Sequence, residues 1–289
     1  MNFSPAESEA CRRLLELALQ EDLGDAGDIT SRSTIPEVLT GRAVFVARSA
    51  GVVSGLPAAQ LTCETIDGSL QFEAQVRDGT SVTAGQPIAT VAGPMRSILT
   101  AERTALNFLQ HLSGVATLTR RFVDAIAGCK GQILDTRKTL PGWRILDKYA
   151  VRCGGGHNHR MGLHDGILIK DNHLASLRAQ GDPISRAVKA ARDFVTFVPI
   201  EIEVDSLDML REALACKPNI VLLDNMSPDQ MREAVKLRDQ TAPDVKLEAS
   251  GGIQLATVRA IAETGVDRIS IGALTHSAPA LDIALDYGE

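Results

Sequence analysis

The chain has 289 residues, of which 44% are hydrophobic and 23% charged, proportions that are ordinary for a soluble globular protein of one or two domains. A net charge of −6 and an aromatic content of 3% argue against nucleic-acid binding, which needs a basic surface and aromatic stacking platforms. Five dispersed cysteines without a C-x-x-C pair, and the lack of a signal-type or ~18-residue apolar run, predict a cytoplasmic protein without a membrane span.

The first hundred residues combine helical patterns with short strand patterns. Leucine and alanine recur at helical spacing over 6–23, and Gly24 ends that helix. Residues 25–34 are predicted to form a polar loop. Further helices are predicted over 56–66 and 98–110, and the β-branched or alternating runs that predict strands are 43–47, 51–53, 72–76, 82–85 and 87–91. We therefore expect an α+β domain over 1–112.

After residue 113, strand-like apolar runs alternate with helical patterns. The strand runs are 133–134, 167–169, 200–204, 220–223, 245–247 and 269–271, and the helices are predicted over 184–194, 206–214, 228–238 and 255–263. Strands alternating with helices indicate βα units and a parallel sheet, and six clear strands favour a (β/α) barrel. No G-x-G-x-x-G or G-x-x-x-x-G-K-[ST] pattern indicates a Rossmann or P-loop fold.

The stretch 135–173 concentrates positive charge in an acidic chain. It holds seven lysines and arginines against four aspartates, three consecutive glycines and four of the six histidines. This pattern is typical of a pocket for a small polyanion.

The carboxyl ends of all six predicted strands carry polar residues or glycine. They are Arg137, Lys138, Lys170, Glu203, Asp224, Ser250 and Gly272. The carboxyl ends of the strands of a (β/α) barrel form one rim, so we expect these residues to converge on an active site. Arginine grips planar carboxylates and lysine acts as a point charge, whereas Glu203 and Asp224 offer the oxygen ligands that Mg²⁺ prefers.

Two segments at later strand ends are candidates for binding phosphate. The Ser250-Gly251-Gly252 sequence precedes a helix predicted to start near Gln254, where backbone N–H groups could meet an anion. Gly272 follows the last barrel strand, the usual position of a barrel phosphate site, and His276 could add a donor.

The clustered histidines raise the question of a zinc site. His157 and His159 form an H-x-H pair, which can chelate zinc, but Arg160 would place a cation beside the metal and no cysteine stands at ligand spacing. The alternative is that these histidines are loop residues or neutral hydrogen-bonding partners, and that His111 packs or caps a helix.

Several motifs, in order and spacing, resemble the quinolinate phosphoribosyltransferase family. They are ALQEDLGDAGDITS, SILTAERTALNFLQHLSGVAT, TRKTLPGWR, GGGHNHRMGL, IKDNH, EVDSL, LLDN, EASGGI and ISIGALTHS. Trp143 and His157 depart from the usual family pattern, but neither is a residue to which chemistry is assigned.

The resemblance implies an N-terminal α/β sandwich domain, an incomplete (β/α) barrel over 113–275 and a tail, 276–289, that packs back on the first domain. It implies phosphoribosyl transfer from phosphoribosyl pyrophosphate to quinolinate with loss of CO₂, Mg²⁺ but no organic cofactor, and a homodimer. Matching motif positions give substrate-binding residues Arg103 (reaching the partner's site), Thr136, Arg137, Lys138, His159, Arg160, Lys170, Glu203, Asp224, Ser250, Gly251, Gly252 and Gly272. Of these, Lys138, Lys170, Glu203 and Asp224 are the implied catalytic group, and Glu203 and Asp224 bind Mg²⁺ directly or through water.

Three other functions are compatible with the sequence. A related phosphoribosyltransferase could use another aromatic acid as acceptor. From a different class, a barrel aldolase could use Lys170 to form a Schiff base. A non-catalytic anion-binding protein is the third alternative.

Overall fold

The structure is a computed structural model that describes residues 1–287, apart from the side chain of Gln180. Numbered in chain order, its helices and strands are α1 Pro5–Leu23, α2 Ile29–Thr34, β1 Thr40–Ala47, β2 Gly51–Val52, α3 Leu56–Ile66, β3 Gln71–Ala74, β4 Ser81–Val82, β5 Pro87–Pro94, α4 Met95–Ala125, β6 Gln132–Leu134, α5 Arg144–Cys153, β7 Ile167–Ile169, α6 Asp171–Leu177, α7 Pro183–Phe194, β8 Ile200–Val204, α8 Leu207–Ala215, β9 Ile220–Asp224, α9 Pro228–Thr241, β10 Lys246–Ser250, α10 Val258–Ala262, β11 Arg268–Ser270, α11 Ala273–His276 and β12 Ile283–Tyr287. A short 3₁₀ helix, Arg178–Gln180, follows α6.

The chain forms two compact units that interleave along the sequence. Unit 1 comprises Met1–Arg120, Lys138–Gly156 and Ala273–Glu289, and unit 2 comprises Arg121–Arg137 and His157–Gly272. These units cross the boundaries predicted at 112 and 275, which were drawn strictly in chain order and stay a prediction.

Unit 1 is built on a four-stranded antiparallel sheet in the order β12-β1-β5-β3. The inward side chains, such as Phe45, Ile88 and Val91, pack with Ile98 and Leu109 of α4 in a buried apolar core. The C-terminal strand β12 belongs to this sheet because it pairs with β1 from Ala43↔Tyr287 to Ala47↔Ile283. The described part of the tail therefore lies in unit 1.

Two local predictions in unit 1 were wrong. Residues 25–34 are not entirely loop, because Asp28 accepts a hydrogen bond from the Ser31 amide at 2.9 Å and so caps the helix α2. The helix predicted over 98–110 is longer, since α4 spans 31 residues and passes through the proposed boundary at 112. The extension places Leu112, Val115 and Ala116 in buried positions.

Unit 2 is built on a six-stranded parallel sheet in the order β6-β11-β10-β9-β8-β7. All six predicted strands are confirmed, within one to three residues at their ends. Among the described residues the two outer strands, β6 and β7, do not pair with each other, so the sheet does not close. The predicted fold class, an α+β domain with an incomplete (β/α) barrel, is confirmed.

Within residues 1–287, no helix combines the length and the hydrophobicity that crossing a bilayer requires.

Candidate active site

The carboxyl ends of three neighbouring strands carry polar side chains on one face of the unit 2 sheet. Glu203 of β8 is in register with Leu222 of β9, and Asp224, two residues further along β9, is in register with Ser250 of β10. Alternate residues of a strand share a face, so Glu203, Asp224 and Ser250 point to the same side of the sheet. The predicted convergence of these three residues is present in the structure.

Lys170 lies at the next strand end and is ion-paired with this group. It immediately follows β7, and its Nζ donates to the Glu203 Oε2 at 3.1 Å. The Lys170 side chain is 47% exposed, whereas that of Glu203 is 15% exposed. The pair therefore presents a cation to solvent above a carboxylate that is held close to the sheet.

The Ser250-Gly251-Gly252 segment has a backbone that only glycine fits easily. Gly251 has φ +98° and Gly252 has φ +58°, and a Cβ built on Gly251 would lie 2.2 Å from Asn225 Oδ1. Asn225 itself has φ +53°, and its amide donates to the Ser250 carbonyl at 2.9 Å. The loops after β9 and β10 thus cross in close backbone contact.

The helix expected after this segment starts later than predicted. It begins at Val258 rather than near Gln254 and has only five residues. Gln254 and Thr257 instead form a turn in which Thr257 Oγ1 bonds to both the amide and the carbonyl of Gln254. A helix N-terminus is therefore not available as the anion site, and the glycine amides are the remaining donors.

Arg137 and Arg160 form a second cationic centre in unit 2. Burial, together with the nearby positive charge of Arg137, lowers the pKa of Arg160. The Arg160 Nη1 donates to the Gly166 carbonyl at 2.8 Å, so the guanidinium is anchored at one edge. A carboxylate suits the fork of donors that each arginine presents.

The segment before Arg160 is held by Asp135, a buried carboxylate at the end of β6. Asp135 accepts hydrogen bonds from the Asn158 side chain at 2.5 Å and from the His159 amide at 2.9 Å. The His159 Nδ1 in turn accepts from the Arg160 amide at 2.8 Å. The backbone that carries both residues is thus tied to the sheet.

The other ring nitrogen of His159 faces two buried glutamates. Its Nε2 lies 3.1 Å from the Glu201 Oε2 and 3.3 Å from the Glu248 Oε1. Glu248 also accepts from the Arg268 Nε at 2.6 Å. Burial opposes charge on the ring, yet the hydrogen bonds and charges of the two glutamates outweigh it and raise the pKa of His159 to about 9.

The pKa values of the two glutamates shift in opposite directions. Burial raises the pKa of Glu201, because its hydrogen bond to His159 only partly offsets the desolvation and the nearby Glu248 adds repulsion. Burial also acts on Glu248, but His159 and Arg268 outweigh it and hold the pKa of that carboxyl below its usual value.

The possible metal ligands that the structure brings together differ from the His157 and His159 pair considered in the sequence. His159, Glu201 and Glu248 bring three ligand atoms within 4.8 Å of one another, whereas His157 is exposed and contributes its backbone to pairing with β6. Neither Glu248 nor Arg268 was singled out as functional in the sequence. The signal that could have identified the two glutamates is a charged residue at an inward position of an otherwise apolar strand.

Some predicted residues belong to unit 1. Arg103 is an exposed residue of α4 beside a cavity of about 260 Å³ whose other lining residues are Asp22, Leu23, Gly27, Asp28, Ile29, Leu99 and Thr100. Lys138 is exposed, and its carbonyl accepts from Thr275 Oγ1 at 2.7 Å. His276 Nδ1 bonds to the Ser277 Oγ at 2.7 Å.

His111, also in unit 1, has the packing role that the sequence suggested as one alternative. Its Nε2 bonds to the buried Asp147 at 2.7 Å, and its ring meets Trp143 edge-on at 4.8 Å.

Comparison with known proteins gives the chain a family. The model for the N-terminal domain of quinolinate phosphoribosyl transferase matches residues 28–113, and the model for its C-terminal domain matches residues 115–286. The nicotinate-nucleotide pyrophosphorylase [carboxylating] of Mycobacterium leprae is 47% identical over 98% of this chain and 99% of the relative. A probable enzyme of the same name from Bacillus subtilis is 42% identical over 95% of this chain and 92% of the relative.

Solved structures agree with this result. The nicotinate-nucleotide pyrophosphorylase of Francisella tularensis is 40% identical, with a TM-score of 0.91 over 99% of this chain and 98% of that one. The corresponding structure from Ehrlichia chaffeensis is 37% identical, with a TM-score of 0.89 over the full length of both chains. The predicted resemblance is confirmed: the chain belongs to the quinolinate phosphoribosyltransferase family.

Proposed function

We propose that this protein transfers the phosphoribosyl group of phosphoribosyl pyrophosphate to quinolinate, producing nicotinate mononucleotide, pyrophosphate and CO₂ in NAD biosynthesis. The observation that carries the proposal is the pair of neighbouring cations, Arg137 and Arg160, in the same unit as the strand-end group of Lys170, Glu203, Asp224 and Ser250. Quinolinate is a dicarboxylate, and the relatives with this activity in their names cover nearly the whole chain.

The chemistry requires charge more than it requires a nucleophile from the protein. The pyridine nitrogen forms a bond to C1 of the ribose while the bond from C1 to pyrophosphate breaks, through an oxocarbenium-like transition state. The positive ring nitrogen then promotes loss of the adjacent carboxylate as CO₂, and the ring carbon takes up a proton. A site that aligns two anions and neutralises them can supply most of this rate enhancement.

The proposed substrate-binding residues divide between the two ligands. Arg137, Arg160 and Lys170 bind the dicarboxylate, and His159 belongs to this set through its bond to the Arg160 amide. Lys138 and Lys170 bind the donor, and the glycine segment at 250–252, with Gly272, binds its 5-phosphate. Thr136 adds a polar group beside Arg137. The close backbone crossing at Gly251 supports the phosphate assignment because it leaves no Cβ over the amides of this segment.

The donor set also fits Mg²⁺. Glu203 and Asp224 are partly buried carboxylates at adjacent strand ends on one face, and oxygen ligands of this type are those that Mg²⁺ prefers. Bound there with the donor, the ion would offset the charge of the pyrophosphate. We propose no organic cofactor for the reaction.

An end-product assay tests the proposal directly. Purified protein is supplied with carboxyl-labelled quinolinate, phosphoribosyl pyrophosphate and Mg²⁺, and labelled CO₂ and nicotinate mononucleotide are measured. Stoichiometric release of both is expected. Turnover of a different aromatic acid, but not of quinolinate, would replace this function with that of a related phosphoribosyltransferase.

The aldolase alternative has less structural support. A lysine that forms a Schiff base needs an apolar or multiply cationic pocket, whereas Lys170 is about half exposed and paired with Glu203. Borohydride should therefore trap no substrate on Lys170, and a trapped adduct would contradict our assignment.

We also propose that the protein is a homodimer in which Arg103 acts in the partner's site. Arg103 is exposed, and no residue of unit 2 lines the cavity beside it. Mixing the inactive variants Arg103→Ala and Lys170→Ala should restore part of the activity, because hybrid dimers would contain one intact site. If mixing restores no activity while the dimer re-forms, Arg103 acts within its own chain.

A cytoplasmic location completes the proposal. No disulfide joins the cysteines of residues 1–287, and burial raises the pKa of both Cys11 and Cys63 to about 12, which leaves these thiols unreactive. Cell fractionation should recover the protein with cytoplasmic markers.

A further inference from the structure

Glu201 and Glu248 are two buried acids to which the proposed reaction gives no direct role. The Glu201 side chain is 4% exposed and the Glu248 side chain is fully buried. Burying a carboxylate is costly unless its oxygens are paired, yet the Glu201 Oε1 has no hydrogen-bond partner among residues 1–287. Two acids kept at such a cost suggest a task beyond holding the sheet together.

The contact that they share is the ring of His159. The Arg160 amide donates to Nδ1, so Nδ1 carries the lone pair and the ring hydrogen lies on Nε2. The Nε2 atom lies 3.1 Å from the Glu201 Oε2 and 3.3 Å from the Glu248 Oε1, and these two acids lie on separate strands, β8 and β10. The ring is thus held between the sheet on one side and the Arg160 backbone on the other.

Arg160 is consequently fixed at both ends. His159 holds its amide nitrogen, and the Gly166 carbonyl holds its guanidinium. Asp135 fixes the preceding peptide by accepting from the His159 amide. A guanidinium that is already immobilised loses less conformational entropy when a carboxylate binds, so its affinity is higher.

We propose that Glu201 and Glu248 are positioning residues that hold the His159 ring and, through it, set the Arg160 guanidinium for the acceptor carboxylate. The proposal rests on the proposed function, because it concerns how the acceptor site of that reaction is organised. Arg268 completes the arrangement by holding the second oxygen of Glu248 at 2.6 Å.

A bound divalent cation is the competing explanation for the same three side chains. Their ligand atoms lie close enough for a metal. A metal would, however, have to replace the hydrogen on Nε2 and sit near Arg268, whose positive charge opposes it. Metal analysis of the purified protein distinguishes a bound cation from the positioning role.

The test is a double-mutant cycle between Glu201 and Arg160. Glu201→Gln should raise the KM for quinolinate on the order of tenfold, while kcat and the KM for the phosphoribosyl donor stay within about twofold. In an Arg160→Ala background the same substitution should have almost no further effect, because its route to the substrate has been removed. A merely structural role would weaken both backgrounds equally, and that result would overturn the proposal.

A matched control separates positioning from the general cost of losing a buried charge. Asp267→Asn removes a carboxylate from an ion-pair network near the start of β11 in the same sheet, and should lower stability without changing the KM for quinolinate. Glu201→Asp, which keeps the charge but shortens its reach, provides a second variant if Glu201→Gln folds poorly. A quinolinate KM unchanged in both Glu201 variants would overturn the proposal.

Two further measurements keep the outcomes distinct. Wild-type turnover of quinolinate is measured first, and its absence would reject the proposed function rather than the positioning role alone. Metal analysis of purified wild-type protein and Glu248→Gln is then compared. One equivalent of divalent metal in the wild type that the variant lacks would replace the positioning proposal with a metal site; no such difference is expected.

Discussion

The two ends of the unit 2 sheet both carry charged networks, but the networks are built differently. Arg238 of α9 lies near the amino ends of β10 and β11, where its guanidinium contacts Asp267 at 2.6 Å, Asp239 at 2.6 Å and the Val245 carbonyl at 2.9 Å. Asp267 also pairs with Lys130 and accepts from the Leu247 amide. Each charge at this end thus has an internal partner of opposite sign or a backbone group.

The carboxyl end, by contrast, brings two charges of like sign near each other and holds a third at the surface. Lys170 is half exposed above Glu203, and Arg137 lies near enough to Arg160 to lower its pKa. The backbone at Asn225 and Gly251 adopts positive φ where the two loops cross. Neighbouring like charges and local strain of this kind are stable only where the rest of the sheet supports them, and they are typical of binding sites.

The comparison shows how one parallel sheet can separate stability from function. Strands run in the same direction, so all amino ends gather at one edge and all carboxyl ends at the other. We therefore expect substitutions at the amino end to change the free energy of unfolding, and substitutions at the carboxyl end to change kinetics.

Arg238→Ala should destabilise the protein most, by about 3–5 kcal/mol. The substitution removes one of the two cations that pair with Asp267 and leaves only Lys130. Arg232→Ala on the same helix is the matched control and should change stability by less than about 0.5 kcal/mol, since its partner Asp229 is exposed. Urea titration measures both variants. Similar losses in the two would contradict a structural role for the Arg238 network.

Arg160→Ala should raise the KM for quinolinate by an amount that corresponds to roughly 2–5 kcal/mol of lost binding, with the fold retained. Arg211→Ala, which removes an exposed arginine paired with Asp208, is the control and should have normal kinetics. Steady-state kinetics and thermal unfolding are compared for the two. Unchanged kinetics in Arg160→Ala would remove Arg160 from the site.

Gly251→Ala should weaken binding of the phosphoribosyl donor and cost roughly 1–3 kcal/mol of stability, because the new Cβ would meet Asn225 and the residue must keep a positive φ. Gly181→Ala isolates the backbone effect, since Gly181 has φ +70° and nothing within 4 Å of a Cβ. A loss in Gly251→Ala no larger than in Gly181→Ala would show that the crossing with Asn225 is not critical.

Asp267→Asn should give the smallest change, roughly 1–2 kcal/mol at neutral pH, and the change should depend on pH. Although burial opposes it, the Leu247 amide, Lys130 and Arg238 together lower the pKa of Asp267, so its contribution is present above the unfolded value of about 3.9. That contribution is lost as the pH falls through the lower, folded pKa. The stability difference between wild type and variant should therefore shrink in acid, and a difference independent of pH would contradict this origin.

The sequence predicted the strands of unit 2 better than it predicted the helices of unit 1. Runs such as Ile220–Leu223 are apolar and β-branched and lie between helical patterns, so their type and order follow from local composition. The loop predicted at 25–34 was partly wrong because a single side chain, Asp28, caps a short helix there. The continuation of α4 beyond residue 110 was missed because burial of Leu112 and Val115 depends on contacts distant in sequence.

In the candidate site, too, some residues could be predicted from the local sequence and others depended on contacts between distant residues. Lys170, Glu203, Asp224 and Ser250 could be named in advance because each lies at the carboxyl end of a predicted strand, and parallel pairing then brings such positions together. The link from Glu201 and Glu248 through His159 to Arg160 could not be named, because their sequence positions give no indication that they meet.

Periodicity and charge are local properties of a chain, so the order of strands and helices, the cationic stretch and the residues at strand ends could all be predicted from the sequence. Which buried charges share a partner depends on the tertiary fold. Pairing is set by sheet register and by distances of a few ångströms between residues 42 and 89 positions apart from His159. At such distances the cost of burying a charge depends on the partner that the fold supplies.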